Sequence, residues 1–284
     1  MTRLRTILAA VAAVLVTAAP APAQDAPPSM CQAVARDLPG ASYARLAPAV
    51  ATPRDRVRPI RASTGEDPYA VTIRFVGHAT FRIVSPEGVI VATDYAGWAG
   101  EGPVPTVVTM NHAHSTHYTD NPDPRIEHVL RGWNPDGKGP ARHHMMVGDT
   151  LVRNVATDIR RWGNVEPYGN SIFIFEIAGL CIGHLGHLHH LPSDEHYAQI
   201  GRLDVVMVPI DGGYTMAQSE MAAVVERLRS SIVIPMHFFS VSNLQRFVDR
   251  MSDAFAIDMR GSPEITVSLN TLPRQPTVVV LPGR

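Results

Sequence analysis

Two histidine-rich segments and one later histidine hold the residues of this chain best suited to chemistry. The first segment is Asn111-His112-Ala113-His114-Ser115-Thr116-His117, the second is His184-Leu185-Gly186-His187-Leu188-His189-His190, and His237 follows in Ile234-Pro235-Met236-His237. Together they contain eight of the thirteen histidines. A single histidine is most simply a structural or surface ring. Clustering points elsewhere, because neutral imidazole is the commonest side-chain ligand for zinc and a tight turn presents alternate residues such as His112 and His114 to one ion. The chemistry expected is metal-assisted hydrolysis, in which a bound ion lowers the pKa of a water and polarises a carbonyl or phosphoryl oxygen.

Metal ligands need rigid supports, and here they recur where apolar runs end. Residues 71–76 and 80–84 alternate apolar with polar around the Gly77-His78 bend, and Ser85-Pro86-Glu87-Gly88 turns the chain into 89–92. The run 106–110 delivers the chain into the first cluster, and the hairpin predicted over 171–177 and 180–182 feeds the second. A buried strand is expected over 204–210, another over 232–236 ending at His237, and two more near 265–269 and 277–281. Helices are expected over 193–201, 216–229 and 242–255. Residues 119–142 hold several Pro and Gly together with Trp133, so they read as a long loop or lid beside the first cluster. A site built from three strand ends suits an α/β fold in which two mixed β-sheets form a sandwich flanked by helices.

The first 23 residues read as a signal peptide: Arg3 and Arg5 precede an apolar run from Ile7 to Ala19, and Ala21-Pro22-Ala23 supplies a small-x-small cleavage site. Cleavage after Ala23 would leave an exported protein, periplasmic or secreted, without stable membrane insertion. Residues 24–69 read as a Pro- and Ala-rich arm, and 70–284 as one domain with a substantial core. A net charge of −1 with interspersed signs gives no electrostatic footprint for nucleic acid, so the expected partner is a small-molecule substrate. The two cysteines, Cys31 and Cys181, either bridge the arm to the body or remain separate thiols.

Several blocks, in order, resemble the metallo-β-lactamase fold superfamily, and within it the metal-dependent hydrolases related to L-ascorbate-6-phosphate lactonases. These are Gly77-His78-Ala79-Thr80-Phe81, Thr93-Asp94, His112-x-His114-x-Thr116-His117, Gly169-Asn170-Ser171-Ile172-Phe173, His184-Leu185-Gly186-His187, Val208-Pro209-Ile210-Asp211-Gly212-Gly213, and Ile234-Pro235-Met236-His237. The resemblance implies a four-layer αββα sandwich and metal ligation by His112, His114, His117 and His237, with His187 added as the best candidate from the second segment. Thr116 stands where the family places a metal-binding Asp, and His187 where it places a bridging Asp. A further family histidine, before the Asn170-Ser171-Ile172-Phe173 strand, has no clean equivalent; Asp158 lies in that region.

Around the ligands, Asp94 is a candidate acceptor of a ring N–H that would fix a ligand's tautomer, or else a strand-end turn carboxylate. Thr116, His184, His190 and Asp158 are candidates for supporting roles beside the metal. Asp211 is a candidate proton shuttle or an Asx-turn residue, and His78 a candidate substrate contact or structural hydrogen-bonding residue. Two readings of function follow. One is an exported hydrolase with one tightly held Zn2+, and a second ion bound weakly if at all, acting on an ester, lactone or phosphoester. The other is a non-catalytic periplasmic metal- or ligand-binding protein that keeps the fold without the two carboxylates.

Overall fold

A computed structural model describes residues 26–32, 67–161 and 163–283. The expected signal peptide lies outside these residues, as does most of the arm. Fourteen strands and three helices are present among the described residues. In chain order they are β1 (Val71–Gly77), β2 (Thr80–Val84), β3 (Ile90–Ala92), β4 (Val107–Met110), β5 (His128–Arg131), β6 (His144–Val147), β7 (Thr150–Arg161), β8 (Asn164–Ile177), β9 (Leu180–His184), α1 (Asp194–Ile200), β10 (Val205–Pro209), α2 (Gln218–Leu228), β11 (Ile232–Met236), α3 (Val241–Met251), β12 (Ala256–Met259), β13 (Glu264–Val267) and β14 (Thr277–Val280). No helix among the described residues is long and apolar enough to cross a membrane.

The strands form two mixed sheets, a six-stranded one in the order β13-β1-β2-β3-β4-β5 and an eight-stranded one in the order β12-β14-β11-β10-β9-β8-β7-β6. Alternation in β1 sends Val71, Ile73 and Phe75 inward, where they meet Phe173, Phe175, Ile182, Met207 and Ile234 of the larger sheet. The larger sheet is covered on both faces, which explains the continuous apolar runs of β10 and β11. Its outer face carries Val206, Val208 and Val233 against Met221, Val224 and Val225 of α2 and Phe247 and Met251 of α3.

The outer face of the smaller sheet is covered differently. Among the described residues it is covered by loops, with Tyr95, Ala99 and Ile126 packed over Val108 and Met110. The stretch expected to be one long loop contains β5, and the polar-rich β7 was not legible because its alternation is weak. β7 and β8 form a long hairpin whose register shifts between Thr157 and Ile159. Pro167, which has no N–H for the ladder, and Tyr168, with φ 59°, lie in the bulged part of β8.

The visible piece of the arm is firmly held. Cys31 and Cys181 form a disulfide across a separation of 150 residues. Beside it, Glu176 accepts hydrogen bonds from Ser29 Oγ at 2.5 Å, Met30 N at 2.8 Å and Arg153 Nε at 2.8 Å.

Candidate metal centre

The strand ends deliver four imidazoles to one point. His78 follows β1, His114 and His117 lie in the loop after β4, and His237 follows β11; a ligand nitrogen from each lies within 4.8 Å of all the others. The two loops that bring His78 and His237 together are joined by the backbone bond from His237 N to His78 O, 2.7 Å. His78 (φ 54°), Asp94 (φ 43°) and His237 (φ 53°) all occupy the left-handed region. Non-glycine residues rarely adopt it, and such outliers concentrate at functional sites.

Behind the rings stand two carboxylates. Asp94 Oδ2 accepts from His117 Nδ1 at 2.6 Å, and Asp211 Oδ2 accepts from His237 Nδ1 at 3.0 Å. Each bond places the ring proton on Nδ1 and turns the Nε2 lone pair toward the cluster. Asn111, a residue that sequence reasoning left without a role, donates to Asp94 Oδ1 at 2.8 Å and accepts from Ser171 N at 2.7 Å, so it locks Asp94 to β8. Burial raises Asp94 to about 6, with nearby His184 and the Asn111 bond pulling the other way.

His237 Nε2 is buried and has no hydrogen-bond partner. An orphaned buried nitrogen costs roughly 1–3 kcal/mol, and a cation bound by the four rings would satisfy it. His78 Nε2 and His117 Nε2 face one another at 3.3 Å, and Thr116 Oγ1 lies 2.9 Å from His78 Nε2 and 2.8 Å from His114 Nδ1. The donor set therefore fits a divalent ion that accepts neutral nitrogen ligands.

Other expected site residues are placed differently. His112 is absent from the cluster: its backbone N bonds Gly169 O at 2.9 Å, its Nδ1 pairs with Glu166, and its ring stacks on Trp133 at 4.9 Å. His187 lies beside the cluster, with Nε2 3.2 Å from His114 Nε2 and Nδ1 2.6 Å from His189 Nε2. Asp211 does not face the cavity as a shuttle would. Its Oδ1 accepts from the backbone N of Gly213, Tyr214 and Thr215, and its Oδ2 from Thr215 Oγ1 as well as His237. Burial pushes its carboxyl up, but the bonds from His237, Thr215 and Gly213 outweigh this and hold it below the usual carboxylate range.

His184 ties two loops together: its Nε2 donates to Ala79 O at 2.8 Å and its Nδ1 accepts from Gly186 N at 3.1 Å. Asp158 and His190 brace the hairpin. Asp158 Oδ1 accepts from Tyr168 N at 3.0 Å, and its backbone N donates to His190 Nε2 at 3.1 Å.

A cavity of about 1080 Å³ opens over the cluster, lined in part by Tyr118, Ile159, Arg160, Tyr214 and Phe239. Trp133 does not line it; it packs behind, against His112 and Tyr118. Access therefore lies between the end of the β7–β8 hairpin and the Gly213-Tyr214 loop.

Burial pulls His78 and His189 down from the usual 6.5 to about 4, and His117 and His187 further. The folded state thus binds fewer protons than the unfolded chain through this window, so stability is retained above about 6.5 and declines as the pH falls toward 4. The metal-free protein is expected to show a lower urea midpoint at pH 4.5 than at pH 7.5. Equal midpoints would contradict this burial.

A two-sheet sandwich with a nitrogen-rich centre at its strand ends defines a metal-centred α/β class of protein. The Beta-lactamase superfamily domain matches residues 72–237, more than half of the chain, and the chain belongs to this family. It is 27% identical over 192 residues to a UPF0173 metal-dependent hydrolase of Thermococcus onnurineus, covering 59% of this chain and 84% of the relative. A UPF0173 metal-dependent hydrolase of Methanosphaera stadtmanae is 28% identical over 205 residues, covering 62% and 88%. Among solved structures, a Thermotoga maritima protein of the metallo-β-lactamase superfamily superposes with a TM-score of 0.55 at 24% identity, covering 75% of this chain and all of that one. Igni18, a metallo hydrolase of Ignicoccus hospitalis, gives 0.52 at 15% identity with 70% and 99% covered, a likeness of fold alone.

Proposed function

We propose that the chain is an exported hydrolase that holds one divalent ion tightly, preferably Zn2+, and cleaves an ester, lactone or phosphoester. The observation that carries this reading is the buried, unpartnered Nε2 of His237 among the ligand nitrogens of His78, His114 and His117. The ion's contribution is Lewis acidity and a water activated at neutral pH. The protein's own residues prepare the site: Asp94 and Asp211 fix the tautomers of His117 and His237, and the Thr116 hydroxyl stands between His78 and His114. Names borne by relatives at 27% and 28% identity support the reaction class. The Ala21-Pro22-Ala23 site and the Cys31–Cys181 disulfide support export, since disulfides persist in oxidising compartments.

The test is metal analysis of the purified protein together with turnover of a panel of lactones, aryl esters and bis-aryl phosphates. Metal-dependent turnover supports the reading. A bound ion with no turnover across the panel favours the second reading, a metal- or ligand-binding protein, for which the neutral Thr116 and His187 speak. Intact-mass analysis of the exported protein should give an N-terminus near Gln24, and retained Met1 would contradict export by this signal.

Two metal ions about 3.5–4 Å apart repel one another unless anionic ligands or a bridging group screen them. Among the described residues, no carboxylate lines this cavity. A second ion should therefore dialyse away readily, and Thr116→Asp with His187→Asp should raise its occupancy. Two equally tight ions in the unsubstituted protein would overturn this expectation.

A further inference from the structure

The cavity over the cluster is one-sided in charge. Among the described residues, Arg160 is the only Lys, Arg, Asp or Glu side chain on its lining, where it joins His78, His114, His187 and His189. Asp94 and Asp211 lie behind the rings with their oxygens engaged by His117, Asn111, His237 and the 213–215 loop. A neighbouring cavity of about 970 Å³, which the Asp158 side of the hairpin lines, mixes Arg142 with Asp158 and Glu195. The division falls at the register shift between Thr157 and Ile159, beyond which both Ile159 and Arg160 reach the cavity over the histidines.

The rest of the wall is apolar and open. Tyr214 and Phe239 pack edge to face at 5.5 Å, yet are 69% and 56% exposed. Phe239 also lies 5.3 Å from the His237 ring, so the aromatic surface runs up to the cluster itself. Covering such rings with an apolar group is favourable.

We infer that the cavity selects a monoanionic ester bearing a bulky apolar arm, with its anionic group against Arg160 and its arm along Ile159, Tyr214 and Phe239. The reacting bond of such a ligand would lie over the histidines. For its chemistry this rests on the hydrolase reading, whereas the binding preference stands apart from it. Hydrolysis adds one water: its oxygen bonds to phosphorus or the acyl carbon, the ester bond to the leaving oxygen breaks, that oxygen takes a proton, and nothing is oxidised or reduced. A phosphodiester or a carboxylate-bearing ester would supply the same anionic, apolar chemistry.

Calorimetric titration with three probes, each checked by mass spectrometry afterwards for cleavage, tests the inference: methyl octylphosphonate and decanoate, which are monoanions, and dimethyl octylphosphonate, which is neutral. Both the metal-free and the metal-loaded protein are used. At least one anion should bind about ten-fold or more tightly than the neutral probe, as expected for charge-assisted hydrogen bonds. Arg160→Met should remove that preference in the metal-free form, where no ion can hold the anion, while Arg142→Met, in the neighbouring cavity, should preserve it. Tyr214→Ala should weaken all three probes together. Tighter phosphonate binding assigns the phosphodiester source, and tighter decanoate binding the carboxylate source. Equal binding of anions and neutral probe by the unsubstituted protein, or an anion preference that survives Arg160→Met in the metal-free form, overturns the inference. An intact preference alongside failure of the turnover panel would sink the hydrolase reading alone.

Discussion

Substituting alanine for His117 or His237 is expected to reduce tight metal binding to background, whereas His112→Ala should leave the ion in place. The contrast follows from where the rings point. His117 and His237 are buried, are oriented by Asp94 and Asp211, and offer nitrogens to the four-histidine group. Each would contribute one of about four bonds in a tetrahedral site, and losing one from a set without anionic donors should cost orders of magnitude in affinity. His112 pairs with Glu166 and stacks on Trp133. Elemental analysis after dialysis, with competition against a chromophoric chelator, reads the difference. An ion lost in His112→Ala but kept in His78→Ala would restore the ligand set implied by the family motif.

Arg153→Met is expected to destabilise the fold by about 3–5 kcal/mol, the usual cost of stranding one charge of a buried pair. Arg153 and Glu176 side chains are each only 4% exposed. The guanidinium also donates to Gln199 O at 2.8 Å and Ile200 O at 2.7 Å, at the end of α1. Urea denaturation measures the loss. The double variant Arg153→Met with Glu176→Gln should recover part of it, because the stranded charge is then gone. Burial raises the Glu176 pKa, but bonds from Arg153, Ser29 and Met30 outweigh this and leave it depressed. Its contribution is therefore present above the unfolded-state carboxylate pKa and is lost as the pH falls through the lower folded-state value. A stability change below about 1 kcal/mol in Arg153→Met would place the pair among those of little net worth.

Much of the architecture was legible because burial leaves a periodic trace. The alternation of β1, the apolar runs of β10 and β11, and the Ser193 cap of α1 are local signals, and the elements lie within a few residues of their expected bounds. The β7–β8 hairpin was half invisible, since β7 owes its form to pairing with β8 across a bulge rather than to its own pattern. The same distinction governs the site. Spacing marks which histidines share a loop, but not which way each ring turns. His112 leaves the cluster because Gly169, Glu166 and Trp133, distant in sequence, draw it aside. His78 joins because a left-handed backbone at a bend aims it inward. Asn111 is in the motif, yet only the fold reveals its grip on Asp94 and β8.

The left-handed backbone at His78, Asp94 and His237 also bears on how this protein could change. Each such residue costs roughly 1–2 kcal/mol that glycine would not. Glycine at any of the three would relax the chain and erase a ring or the carboxylate that orients one. A library selected only for heat tolerance would thus be drawn toward variants that discard the metal centre, and durability and chemistry would have to be selected together.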